Sequence, residues 1–172
     1  LIQRGELLSS TFLSFKMTGP IILVDTREQE PLWEKGEPGI SFKKLQVCDY
    51  TTPFLLGKAH AERKSPNDLY SSIIGDHERF KRMIKRAVKL DIKIAVFVEC
   101  PERQFYGKRF KFGWKLKVKG NQLAKTIKTM KSRYNLDFYW CKDRQDMKDK
   151  IVDWFIEYGK IARSQEAQRE YT

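Results

Sequence analysis

Three short stretches of this chain set carboxylates and cations at the ends of apolar runs, in a pattern suited to handling a phosphate. The first is Ile21-Ile22-Leu23-Val24-Asp25-Thr26-Arg27-Glu28, the second Val47-Cys48-Asp49-Tyr50, and the third Glu62-Arg63-Lys64-Ser65-Pro66-Asn67-Asp68. An apolar run that stops at a carboxylate predicts a buried strand delivering that carboxylate to a sheet edge. Between Asp49 and Glu62, Pro53 and Gly57 punctuate a turn. In an antiparallel hairpin the numbers of paired residues share a constant sum, so a loop centred between Leu55 and Leu56 sets Asp49 opposite Glu62, about 5 Å away. Lys64 then shares a face with Glu62 while Arg63 points away, and Asp25 can join from a neighbouring strand. Carboxylate oxygens are hard ligands, suited to Mg²⁺ or Mn²⁺ rather than zinc. Such an ion polarises a phosphoryl oxygen and activates bound water, and Lys64 is placed to orient that water or neutralise developing charge. The chemistry this predicts is phosphodiester hydrolysis.

These residues carry a resemblance. VDTRE, CDY and ERKSPND resemble, in order and spacing, the motif of XPF-type structure-specific endonucleases, which reads V-D-x-R-E, G-D-Y, then E-R-K-x-x-x-D. The resemblance spans about residues 20 to 100. It implies a restriction-endonuclease-like core, and metal-dependent cleavage of branched or partly single-stranded DNA of the repair, recombination or replication type. It would make Asp25, Asp49 and Glu62 the metal carboxylates and Lys64 the catalytic lysine. Arg27, Glu28, Arg63 and Asp68 would be supporting polar residues. Cys48 stands where the family has glycine, so the backbone there either avoids positive φ or accepts strain. The chain has no room for the helicase region of larger relatives and shows no tandem helix-hairpin-helix segment, so short members are the closer comparison.

Blander roles compete at particular positions. Ser65-Pro66-Asn67-Asp68 also reads as an N-cap, a proline at the first helical position and an acid in the first turn, so capping and catalytic support are equal readings of Asp68. Glu28 has an alternative reading as a solvated loop acid. His60 and His77 are too isolated to argue for zinc, and His60 reads as a strand residue.

The elements that must position these groups alternate as in a compact α/β protein. Phe80, Met83, Ile84, Ala87 and Val88 recur at helical spacing, predicting an amphipathic helix over about 76 to 89 with its Lys and Arg residues outward. Ile92 to Glu99 predicts a buried strand. Leu123, Ile127, Met130 and Tyr134 mark a second helix, Leu136 to Trp140 a short strand, and Met147, Ile151, Trp154, Phe155 and Tyr158 a third helix. The expectation is a three-layer α/β/α domain with a central mixed sheet over residues 20–163. Residues 1–19 would be an extension, with Met17 a candidate native start, and the polar tail 164–172 would fray.

A second segment bears on nucleic acid. From Arg103 to Lys119, the cations Lys108, Arg109, Lys111, Lys115, Lys117 and Lys119 interleave with Phe105, Tyr106, Phe110, Phe112 and Trp114. Cations paired with phosphates release counterions and exposed rings stack on unpaired bases, so Lys108, Arg109, Lys111, Trp114, Lys115 and Lys117 are expected to contact DNA. The competing reading is a hairpin bent near Gly107 and Gly113 with solvated lysines.

Composition bounds the rest. With 172 residues and 41% hydrophobic content, the chain suits one folded domain. A formal net charge of +12 implies an anionic partner, and the lack of a long apolar span favours nucleic acid over a membrane. Cys48, Cys100 and Cys141 are widely separated, with neither metal-ligand spacing nor a disulfide framework, which fits a reducing intracellular compartment. The final helix's aromatics suit either the core or a homodimer contact. The overall expectation is an Mg²⁺- or Mn²⁺-dependent DNA endonuclease. Its alternatives are a catalytically inactive nucleic-acid-binding module of the same fold, and a junction resolvase or restriction-like nuclease.

Overall fold

The computed structural model describes residues 19–74, 78–107 and 118–170. The expected DNA contacts Lys108, Arg109, Lys111, Trp114, Lys115 and Lys117, the extension up to residue 18 and His77 therefore lie outside the described residues. Among the described residues six strands form one sheet: β1 (Ile22–Asp25), β2 (Ile40–Lys43), β3 (Tyr50–Thr51), β4 (Ala59–Lys64), β5 (Lys93–Val98) and β6 (Leu136–Trp140). Their order across the sheet is β2-β1-β3-β4-β5-β6. Only β3 runs against its neighbours; the β1/β2, β4/β5 and β5/β6 pairs are parallel. The sheet is mixed, as expected.

Among the described residues five helices cover it: α1 (Pro66–Ile74), α2 (Glu78–Lys89), α3 (Glu102–Tyr106), α4 (Gly120–Tyr134) and α5 (Arg144–Glu170). Strand β5 shows why there are three layers. Its continuous apolar run sends Ile94, Val96 and Val98 toward a core shared with α1 to α4, and Ala95 and Phe97 toward a second core shared with α5. A strand buried on both faces has no use for alternating polar residues. Parallel pairing requires crossovers, which α1 with α2 and α3 with α4 supply. Among the described residues no helix is long and apolar enough to cross a membrane.

Three elements depart from expectation. Strand β2 is a half-exposed edge strand whose four residues give little periodic signal. Helix α3 occupies the start of the basic-aromatic segment, and its Phe105 is 1% exposed while Tyr106 packs edge-on against Trp140 at 5.4 Å. These two rings belong to the core and its margin, so base stacking is not open to Phe105. Gly120 begins α4 so close to α3 that a Cβ there would overlap the Tyr106 carbonyl. The third departure is α5, which continues through the stretch expected to fray. Its end is held by Lys58 Nζ, 2.6 Å from Glu166 Oε1, and by the Arg163 guanidinium 4.8 Å from the Phe54 ring centre. Trp154 and Phe155, on which the expected homodimer partly rested, are buried in this chain's own core.

Candidate active site

The hairpin of β3 and β4 builds the centre of the site. Tyr50 pairs with Ala61, so the residue numbers sum to the value expected and Asp49 faces Glu62. The Asp49 N–H donates to the Ala61 carbonyl at 3.1 Å, and Asp49 Oδ2 accepts the Arg63 N–H at 2.8 Å. Gly57, at φ +80°, turns the loop, and His60 Nε2 accepts its N–H at 3.3 Å. The other ring nitrogen, Nδ1, lies 2.8 Å from the Val47 carbonyl, so His60 ties the turn to the segment leading into Asp49. It is a buried core histidine with both nitrogens engaged.

Cys48 accepts the strain that its position imposes. Its φ is +59°, in the left-handed region where glycine is free and other residues are not. The side chain is buried, with Sγ 3.5 Å from Met83 Sδ on α2. All three cysteines are free and buried.

Lys64 and Arg63 project to different partners, as alternation along β4 requires. Lys64 Nζ lies 2.8 Å from Glu62 Oε1 and 4.6 Å from the centre of the Phe80 ring. Burial alone would lower the Lys64 pKa, but the charge and hydrogen bond of Glu62, with Asp49 and Asp68 beyond, raise it above the usual lysine range. The ammonium is therefore kept charged. Arg63 instead enters a cage of acids, with Nη2 3.0 Å from Glu30 Oε2 and 2.9 Å from Glu99 Oε2, and Nη1 3.6 Å from Glu28 Oε1. Its buried Nε has no hydrogen-bond partner. Glu99 also receives Arg144 of α5 at 3.5 Å, which links both sides of the sheet through one carboxylate.

Asp49 carries the opposite electrostatics. Burial, followed by the charges of Glu62 and Glu28, pushes its pKa well above the usual carboxylate range, against the pull of the Arg63 N–H and Lys64. A cation beside it would relieve that repulsion. Asp25 sits next door, since its N–H donates to the Asp49 carbonyl at 2.7 Å, but its carboxylate is already committed. Oδ1 accepts the Arg27 N–H at 2.7 Å and Nε at 2.8 Å; Oδ2 accepts Arg27 Nη2 and the Leu45 N–H, both at 2.8 Å. Burial acts to raise its pKa, but these donors bring it below the ordinary value. Among the described residues no group of three or more His, Cys, Asp or Glu side chains is arranged to hold a metal ion. The structure thus joins Asp49 and Glu62 as a carboxylate pair, with Asp25 alongside as the anchor of Arg27.

Asp68 caps α1 and also lines the cleft, near enough for its charge to help raise the Lys64 pKa. Its N–H donates to Ser65 Oγ at 3.1 Å and its Oδ2 accepts the Ser65 hydroxyl at 2.7 Å, which satisfies the first turn of α1.

These groups share a cleft of ≈ 810 Å³. Asp25, Glu28, Glu30, Asp49 and Glu62 line it together with Arg27, Arg63 and Lys64, and Arg79, Arg82 and Arg86 of α2 line it as well. Sequence reasoning placed the α2 cations outward without connecting them to the site. Their i, i+3, i+7 spacing was the available signal. Glu30 and Glu99, which complete the Arg63 cage, gave none, because only the fold brings them together.

No protein-family model matches the sequence, and no curated protein matches it. Solved structures do. One is XPF from Aeropyrum pernix, at 18% identity and a TM-score of 0.60 over 87% of this chain and 70% of that one. Another is XPF from Aeropyrum pernix in complex with DNA, at 17% identity and a TM-score of 0.58 over 83% of this chain and 66% of that one. The sheet order, the helices on both faces and these superpositions agree that the chain has the XPF-type nuclease fold.

Proposed function

We propose that this protein is a metal-dependent DNA endonuclease that hydrolyses phosphodiester bonds in branched or partly single-stranded DNA. The observation that carries the reading is the convergence of Asp49, Glu62 and the cationic Lys64 in one cleft of an XPF-type fold. One similar solved structure is of XPF in complex with DNA, which supports DNA as the substrate.

The donor set fits Mg²⁺ or Mn²⁺. Mg²⁺ is usually held by one or two carboxylates and completes its shell with water and substrate phosphate. Asp49 and Glu62 supply that pair, and the electrostatic strain on Asp49 favours a cation there. When bound, the ion would polarise a phosphoryl oxygen and acidify a water molecule. Lys64, steered by Glu62 and backed by Phe80, presents a fixed positive charge to the phosphate as negative charge develops. Arg63 holds Glu28 and Glu99 in place and lends its backbone N–H to Asp49, so its part is positioning. Arg27, locked on Asp25 by a bidentate pair yet half exposed, offers its outer edge to the cleft.

The test uses labelled flap, splayed-arm, four-way and plain duplex DNAs with Mg²⁺, Mn²⁺ or EDTA. Cleavage of the branched substrates is expected with either metal and not with EDTA. Asp49→Asn and Glu62→Gln are expected to abolish it while leaving the fold intact. Full activity in EDTA, or in both variants, would contradict the proposal.

A further inference from the structure

Helix α2 carries six cations in its 12 residues, and the fold sorts them by type. Arg79, Arg82 and Arg86 line the cleft; Lys81, Lys85 and Lys89 do not. Arg79, Arg82 and Arg86 fall within about 60° around the helix axis. Lys89 shares the face of Arg82 but sits at the helix end, beyond the cleft, and solubility alone gives no reason for α2 to line the cleft with arginine only. Phosphate recognition supplies one. The guanidinium fork pairs bidentately with phosphate oxygens and is more weakly hydrated than an ammonium. All three arginines are exposed, and among the described residues neither Arg79 nor Arg82 is paired with a carboxylate.

The stripe is also held in fixed register with the reacting groups. Between the arginines, Phe80 lies beneath Lys64, Met83 touches Cys48 beside Asp49, and Arg86 Nη1 donates to the Gln46 carbonyl at 3.4 Å. From Arg79 to Arg86 the helix rises about 10 Å, enough to reach more than one phosphate of a strand. The lining also carries Asp25, Glu28, Glu30, Asp49 and Glu62, so a polyanion entering the cleft is drawn to its cations.

We propose that Arg79, Arg82 and Arg86 form a phosphate rail that seats one nucleic-acid strand in the cleft and presents a backbone phosphate to Asp49, Glu62 and Lys64. The proposal rests on the nucleic-acid reading above. It adds a binding surface on α2, outside the motif residues.

The test compares two double variants of the full chain that lose the same charge from the same helix, Arg79→Gln/Arg82→Gln and Lys85→Gln/Lys89→Gln. Arg86 is left intact because it also holds Gln46. Binding of a labelled splayed-arm DNA is measured in EDTA across salt concentrations, with thermal unfolding as the check on folding. The arginine pair is expected to weaken binding and flatten the log–log salt slope by about 1.4 to 1.8, and the lysine pair by less than half as much. Arg79→Lys/Arg82→Lys keeps the charge and is expected to regain only part of the affinity. Equal losses in the arginine and lysine pairs, with wild-type protein binding and cleaving normally, would overturn the rail and leave the nuclease reading standing. Arginine-specific binding by a protein that never cleaves would establish the rail and overturn the nuclease reading instead. Wild-type protein that binds no DNA would overturn both.

Discussion

At Cys48 the backbone adopts a left-handed conformation that costs an L-residue roughly 1 to 2 kcal/mol, one residue before the carboxylate that faces Glu62. The conformation turns Val47 and Cys48 into the core under α2 and leaves Asp49 partly buried at the cleft. This supplies a test that separates backbone strain from packing. Cys48→Ala and Cys48→Gly both lose the thiol contact with Met83, but only glycine releases the strain. At an ordinary site alanine is more stable than glycine by about 0.4 to 1 kcal/mol; here the order should invert, with Cys48→Gly more stable by about 0.5 to 1 kcal/mol in urea unfolding. An equal or more stable Cys48→Ala would show that the corner is unstrained. The departure from the family glycine was legible in the sequence. Which way the backbone resolved it was not, because the outcome depends on whether α2 offers the side chain a buried place.

Among the elements, the β3–β4 hairpin decides the site, and His60 contributes to how it responds to pH. The neutral ring fits a donor to the Val47 carbonyl at Nδ1 and an acceptor for the Gly57 N–H at Nε2. Burial lowers its pKa below 6.5, and the Val47 carbonyl offsets only part of that. Since the folded pKa is the depressed one, the stabilisation is full above 6.5 and is lost as the pH falls toward the folded value. Thermal unfolding from pH 7.5 to 5 should therefore show the Tm advantage over a non-titrating His60→Gln variant shrinking as the pH falls, while the raised pKa of Asp49 acts in the opposite sense in both proteins. Parallel curves for the two proteins would remove His60 from the pH response. The same hairpin shows how far sequence reasoning reaches. Its register followed from a turn centred between Leu55 and Leu56, and β5, α2, α4 and β6 followed from periodicity. Strand β2, α3 and the last turns of α5 did not. Each is held by tertiary contacts rather than by a pattern of its own: β2 by pairing with β1, α3 by burying Phe105, and the end of α5 by Glu166 and Arg163 reaching back to Lys58 and Phe54.

For the whole molecule, the distribution of charge separates docking from chemistry. A net charge of +12 attracts a polyanion, yet Asp25, Glu28, Asp49 and Glu62 are among the residues that line the cleft. On the proposed reading, affinity resides in the α2 arginines and the other cations, and reactivity in the acidic corner where Lys64 is held against Glu62. Carboxylates ordered as in the family motif made that corner legible from the sequence. The commitment of Asp25 to Arg27 and Leu45 was not legible, because Leu45 reaches it only through the fold. The division of labour is tested most directly on a Lys64→Met protein, which keeps the aliphatic stem and loses the ammonium. Single-turnover cleavage and equilibrium binding of the same branched DNA should be measured side by side, with Mg²⁺ for the first and EDTA for the second. Cleavage should fall roughly a hundredfold or more with affinity nearly unchanged. Cleavage near the wild-type rate, or a loss of affinity in proportion to the loss of cleavage, would contradict the assignment of Lys64 to the chemical step.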